Sequence, residues 1–151
     1  MPQHSKKYVM PHTAEQLFDL VADVAKYPEF LPWCIAARIT KNDGKIMLAD
    51  LIVGYKVFRE KFTSKVTMNR PGEIEVTYLN GPMKYLHNRW GFEANEDGTC
   101  TVDFHIDFEF QNRMFESMMG AFFSEALQRM VHAFEERADD LYGSEKRLHQ
   151  L

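Results

Sequence analysis

The stretch from Asn112 to Leu141 constrains this chain more than any other. Phe115, Met118, Met119, Phe122, Phe123, Ala126, Leu127, Met130, Val131, Phe134, Ala138 and Leu141 recur at steps of three and four, which is the α-helical period. Asn112 is a cap residue at the start, and Gly143 sits where a left-handed residue ends a helix. Thirty residues span roughly 45 Å, enough to cross a small domain. The apolar face is broader than a coiled-coil seam and drifts around the helix, so it calls for a wide, curved partner surface.

The upstream chain supplies strands for that surface. His4 to Met10 reads as a short strand closed by Pro11. Thr13 to Gln16 fits a capping box, and Leu17, Phe18, Val21 and Val24 then form one apolar helical face. Tyr27-Pro-Glu-Phe-Leu-Pro-Trp-Cys34 follows, and its two prolines forbid a regular helix, leaving an aromatic-rich elbow. From Ile35 the period becomes two. Strands are expected at Ile35–Lys41, Ile46–Val53, Val57–Met68, Ile74–Leu79, Tyr85–Ala94 and Thr99–Phe110, with hairpin signals at Asn42-Asp-Gly44 and Asn95-Glu-Asp-Gly98. In the last strand Cys100, Val102, Phe104, Ile106, Phe108 and Phe110 alternate with polar residues, so one side is buried and the other wet. The expected architecture is α+β: about seven antiparallel strands curled around one long helix, in a single domain over residues 1–151, with room for a cavity between the layers.

Bulk properties exclude some classes. A net charge of −4 argues against wholesale nucleic-acid binding, though not against a local basic patch. Cys34 and Cys100 show no metal spacing, and the chain reads as intracellular with reduced thiols. No apolar run approaches the ~20 residues of a membrane span. The six histidines lack the helical spacing of a zinc pair, and no phosphate loop, dinucleotide fingerprint or nucleophile elbow is present.

Several segments are similar to the coenzyme Q-binding protein family, part of the START-like, helix-grip superfamily also called polyketide cyclase/dehydrase-like. They are Phe18-Asp-Leu-Val-Ala-Asp-Val24, Tyr27 to Cys34, Gly81-Pro82 with Leu86 and Trp90, Asp107-Phe-Glu-Phe110 and Ala133-Phe-Glu-Glu-Arg-Ala138. The resemblance implies a ubiquinone-binding chaperone or carrier serving respiration, with no covalent cofactor and no catalytic residue. It also includes a bacterial branch described as a toxin that binds the large ribosomal subunit. With no Arg- and Ser-rich leader, a bacterial cytoplasmic setting is expected, with peripheral contact at the inner membrane.

Strand parity selects the candidate ligand-binding residues. Phe58, Phe62, Val66 and Met68 share a face with Glu60 and Ser64; Leu86, Trp90, Phe92 and Ala94 share one with Asn88; Phe104 lies on the buried side of its strand. Polar groups on an apolar face need partners. Glu60, Ser64 and Asn88 either meet a quinone head group or satisfy the protein itself. A quinone only accepts hydrogen bonds, so Asn88 and Ser64 suit it, whereas an ionised Glu60 needs a proton or a water. The elbow residues Tyr27, Phe30 and Trp33 form either a mobile cavity mouth resting on a bilayer or a plug in the core. Met114, Met118, Met119 and Met130 form an adaptable stripe for a prenyl tail, or ordinary helix packing, and Phe122 on the same helix is a further ligand candidate. Three functions follow: an isoprenoid-quinone carrier, a ribosome-associated inhibitor, and an aromatase- or cyclase-type enzyme relying on Glu60. The first is preferred, and the negative charge counts against the second.

Overall fold

The computed structural model describes residues 3–31, 33–55 and 58–143, and gives the backbone alone for residues 55, 58, 115, 118, 119 and 122–124. The order is β1 (Gln3–Met10), α1 (Ala14–Ala22), a 3₁₀ helix (Val24–Glu29), β2 (Cys34–Asn42), β3 (Ile46–Tyr55), β4 (Phe58–Asn69), β5 (Glu73–Asn80), β6 (Met83–Ala94), β7 (Cys100–Phe110) and α2 (Arg113–Tyr142). The strands form one antiparallel sheet in the order β1-β7-β6-β5-β4-β3-β2. Consecutive hairpins build β2 to β7, and β1 returns to pair with β7. This is the helix-grip arrangement expected from the sequence.

Local chemistry accounts for the boundaries. Thr13 accepts from the Gln16 N–H at 3.1 Å while Gln16 Oε1 accepts from the Thr13 N–H at 3.0 Å, completing the capping box that starts α1. In the β2–β3 turn Asn42 accepts from the Gly44 N–H, Asp43 accepts from Lys45 and Ile46, and Gly44 takes φ +93°, a value a side chain would disfavour. Gly143, at φ +81°, donates to the Asp139 carbonyl at 2.8 Å and stops α2.

Burial follows the alternation in β7: all six even-numbered residues from Cys100 to Phe110 are buried and the odd ones are not. Trp90, Phe104, Phe92 and Phe134 continue that core. In β6 the expected inner face holds through Phe92, but Ala94 at its end is exposed. His12 carried no role in the sequence, yet its side chain is 2 % exposed and its Nε2 lies 2.9 Å from Asp139 Oδ1. That contact ties the entrance of α1 to the end of α2, with the Tyr142 ring 6.0 Å away. The cysteines are both buried and free, and burial pushes each thiol up to about 11.

The elbow is more regular than expected. Pro28 sits inside the 3₁₀ helix, and the turn closes through Leu31 N–H donating to the Tyr27 carbonyl at 2.9 Å. Pro32 lies outside the described residues.

Candidate functional site

Between the inner face of the sheet and α2 lies a cavity of about 200 Å³. β4 presents Glu60, Phe62, Ser64 and Val66 to it, the parity read from the sequence. Registry extends the wall sideways: Val66 pairs with Val76, Val76 with Asn88, and Asn88 with Ile106. All four line the cavity, as do Ala49, Leu51 and Val53 from β3. Ala126, Leu127, Met130 and Phe134 of α2 form the roof, and Val24, Tyr27, Leu31 and Trp33 close one side.

Exposure grades along the cavity. On β3, Ala49 is buried while Leu51 and Val53 are half-buried; on β4, Val66 is buried while Glu60, Phe62 and Ser64 are half-buried. Val53 pairs with Glu60 near the β3–β4 connection. The mouth therefore lies at that end of the hairpin, beside Trp33, and the closed end lies against Trp90.

The polar groups divide into two kinds. Asn88 is 9 % exposed; its Nδ2 donates to the His105 carbonyl at 2.9 Å and its Oδ1 accepts from Trp90 Nε1 at 3.0 Å. The protein thus engages Oδ1 and one of the two amide N–H groups, while the residue still lines the cavity. Glu60 and Ser64 make no hydrogen bond to a described residue, so they face the cavity with capacity to spare. Tyr78, beside Ser64 in register, accepts from the Met83 N–H at 2.9 Å.

The elbow aromatics are pinned rather than free. Tyr27 donates to the Val21 carbonyl, and burial raises its phenol above the usual range. The Tyr27 and Phe30 rings meet Phe134 edge to face at 5.4 and 5.1 Å. Arg137 lies over Phe30 at 5.2 Å and donates to Glu29 at 2.8 Å. Tyr27 and Trp33 line the cavity, but Phe30 packs on α2 outside it.

Of the other expected ligand contacts, Phe62 and Trp90 line the cavity. Phe104 does not: it is 0 % exposed and packs against Trp90 with tilted rings 4.8 Å apart. The side chains of Phe58, Met118, Met119 and Phe122 lie outside the described residues. Of the methionine stripe, Met130 lines the cavity whereas Met114 is exposed; sequence reasoning missed the β3 and β5 walls and Ala126, Leu127 and Phe134 of the roof. Phe134 could have been found, since it lies on the same helical stripe as the methionines.

Residues 10–135 match the family model described as polyketide cyclase / dehydrase and lipid transport. The chain belongs to that family. Its fold is close to that of the Zhui aromatase/cyclase of a Streptomyces (TM-score 0.81, 14% identity, over 91% of this chain and 93% of that one). The ribosome association toxin RatA of Pseudomonas aeruginosa is 36% identical, over 89% of this chain and 94% of its own. The mitochondrial coenzyme Q-binding protein COQ10 homolog B of Xenopus laevis is 30% identical, over 95% of this chain and 61% of its own. Among the described residues no cluster of three metal-ligating side chains occurs, and no helix is long and apolar enough to cross a membrane.

Proposed function

We propose that this protein binds a lipophilic, ring-bearing ligand between sheet and helix, and that the ligand is an isoprenoid quinone. The observation that carries the reading is the apolar cavity itself, roofed by α2 and holding two uncommitted polar groups, Glu60 and Ser64. An engineered cavity of about 150 Å³ takes up benzene, so the volume here suits one substituted ring. It does not hold a whole polyprenyl chain, and the tail leaves through the mouth beside Trp33. Burial contributes about 0.8 kcal/mol per CH₂, so few polar contacts are needed. Ser64 donates to a ring carbonyl, and Glu60 accepts from a ring hydroxyl or from a water. The family's lipid-transport description and the name of the Xenopus relative support this reading. The ligand is carried without chemical change; the aromatase/cyclase likeness, at 14% identity, speaks for the fold alone.

A second reading, association with the ribosome, is favoured by RatA, which matches at higher identity and over nearly its full length. The two are compatible, because the cavity is internal and a ribosome meets only the outer surface.

Organic extraction of protein purified from its own host, followed by mass spectrometry, tests the first reading. A quinone in near-equimolar amount is expected. Recovery of fatty acids or phospholipids alone would contradict it.

A further inference from the structure

We infer that the outer face of β2, β3 and β4 is a docking surface for the phosphate backbone of RNA. It deepens the ribosome-association reading by naming both the contacting face and the chemistry that it recognises.

The net charge of −4 conceals a strong segregation. From Cys34 to Asn69 the chain carries seven Lys/Arg against three Asp/Glu; from Glu73 to Phe110 it carries two against eight. The fold puts five of the seven on one face. Since Glu60, Phe62, Ser64 and Val66 point into the cavity, strand alternation sends Arg59, Lys61 and Lys65 outward. Arg38 pairs with Asp50 and Lys41 with Leu48, both outward positions of β3, so these two cations share that face. All five are exposed. Two columns of cations, on β2 and β4, thus flank β3 at a separation of roughly 10 Å.

No direct ion pair among the described residues ties them up, although Asp50 lies opposite Arg38 on the same face and Asp43 is near Lys41. Among the described residues, Arg38, Lys41, Arg59, Lys61 and Lys65 form no ion pair, whereas Lys84 and Arg89 on β6 are paired with Glu109, Glu73 and Asp103. Of the three acids in the basic segment, Glu60 faces the cavity, Asp43 accepts two backbone N–H groups in its turn, and Asp50 accepts the Thr63 hydroxyl at 2.7 Å. A sheet face bearing cations free of ion pairs is suited to phosphates, whose counterions are released on binding. A bilayer also attracts cations but wants apolar or aromatic anchors. Among the described residues, the exposed large apolar side chains Val9, Leu79, Met114 and Leu141 lie on other elements, and Ile35 is the one on these strands.

The test uses the full chain, a fluorescein-labelled RNA stem-loop, purified large ribosomal subunits and phosphatidylglycerol vesicles. The proposal expects saturable RNA binding whose affinity falls steeply with salt, by about 0.7–0.9 log units per log unit of salt for each phosphate contacted. Lys61→Glu with Lys65→Glu should weaken it about tenfold or more and lower that slope by about 1.5–2. Lys6→Glu with Lys7→Glu, on β1 at the far edge, should leave it unchanged. If the wild type binds RNA but not subunits, the face stands and the ribosome reading falls. If the wild type sediments with subunits and the Lys61/Lys65 variant does so equally, the ribosome reading stands and this proposal is overturned. RNA binding that both double variants reduce equally, or binding to vesicles but not RNA, would also overturn it.

Discussion

Trp90 donates its indole N–H to Asn88 Oδ1 at 3.0 Å, and Asn88 passes its own N–H to the His105 carbonyl at 2.9 Å. This chain joins β6 to β7 beneath the cavity and makes Asn88 a structural residue. Asn88→Ala leaves a buried indole N–H unpaired, at about 1–3 kcal/mol. The melting temperature should fall by roughly 2–4 °C per kcal/mol lost. Ser64→Ala should leave the melt nearly unchanged and weaken ligand binding instead. Thermal unfolding of both variants, with and without ligand, checks the contrast.

The elbow divides in the same way. Phe30 packs on Phe134 and Arg137, whereas Trp33 borders the mouth. Phe30→Ala should destabilise by about 3 kcal/mol, at the low end of buried aromatic truncations, with ligand exchange little altered. Trp33→Ala should change exchange with vesicles at smaller cost in stability. Equal effects of the two substitutions on exchange would overturn this division of labour.

The alternation in β7 made the buried side of the sheet legible, and the capping box and glycine stop fixed both helices. β3 was different. Ile46, Leu48 and Ile52 on one side and Met47, Ala49, Leu51 and Val53 on the other are all apolar, and Asp50 alone marks the outward side, so the alternation there is far weaker than in β7. The long helix announced its length but not its placement over the sheet, and the roof is described from Ala126 onward. Phe104 was assigned to ligand because a strand's face can be read from sequence, whereas a side chain's partner across the sheet depends on register. The net charge misled in a related way, since opposite charges gathered on different strands cancel in the total.

Alkaline titration should reveal the buried acids. Burial raises the Cys34 and Cys100 thiols to about 11 and the Tyr27 phenol further. The folded state therefore holds these protons more tightly than the unfolded chain. Their contribution to stability is complete below pH about 9 and is lost progressively as pH rises toward and through the folded values. Urea midpoints should fall across that window, and a thiol reagent at pH 8 should label native protein slowly and unfolded protein at once.

His12 and Asp139 join the two helices by one short contact. His12→Ala should cost about 1–3 kcal/mol by leaving Asp139 without that donor, lowering the urea midpoint while leaving the slope of the transition unchanged.

The most direct test of the central claim is a titration of tryptophan fluorescence with a short-chain quinone, comparing the wild type with Ala49→Phe. Trp90 and Trp33 both line the cavity, and Ala49 is 3 % exposed with its side chain facing into it. Ala49→Phe should fill the space at little cost in stability, or even with a gain. The account predicts saturable one-to-one quenching in the wild type that disappears in Ala49→Phe while its melting temperature is held or raised. Quenching that survives in the filled variant, or no saturable quenching in the wild type freed of lipid, would contradict it.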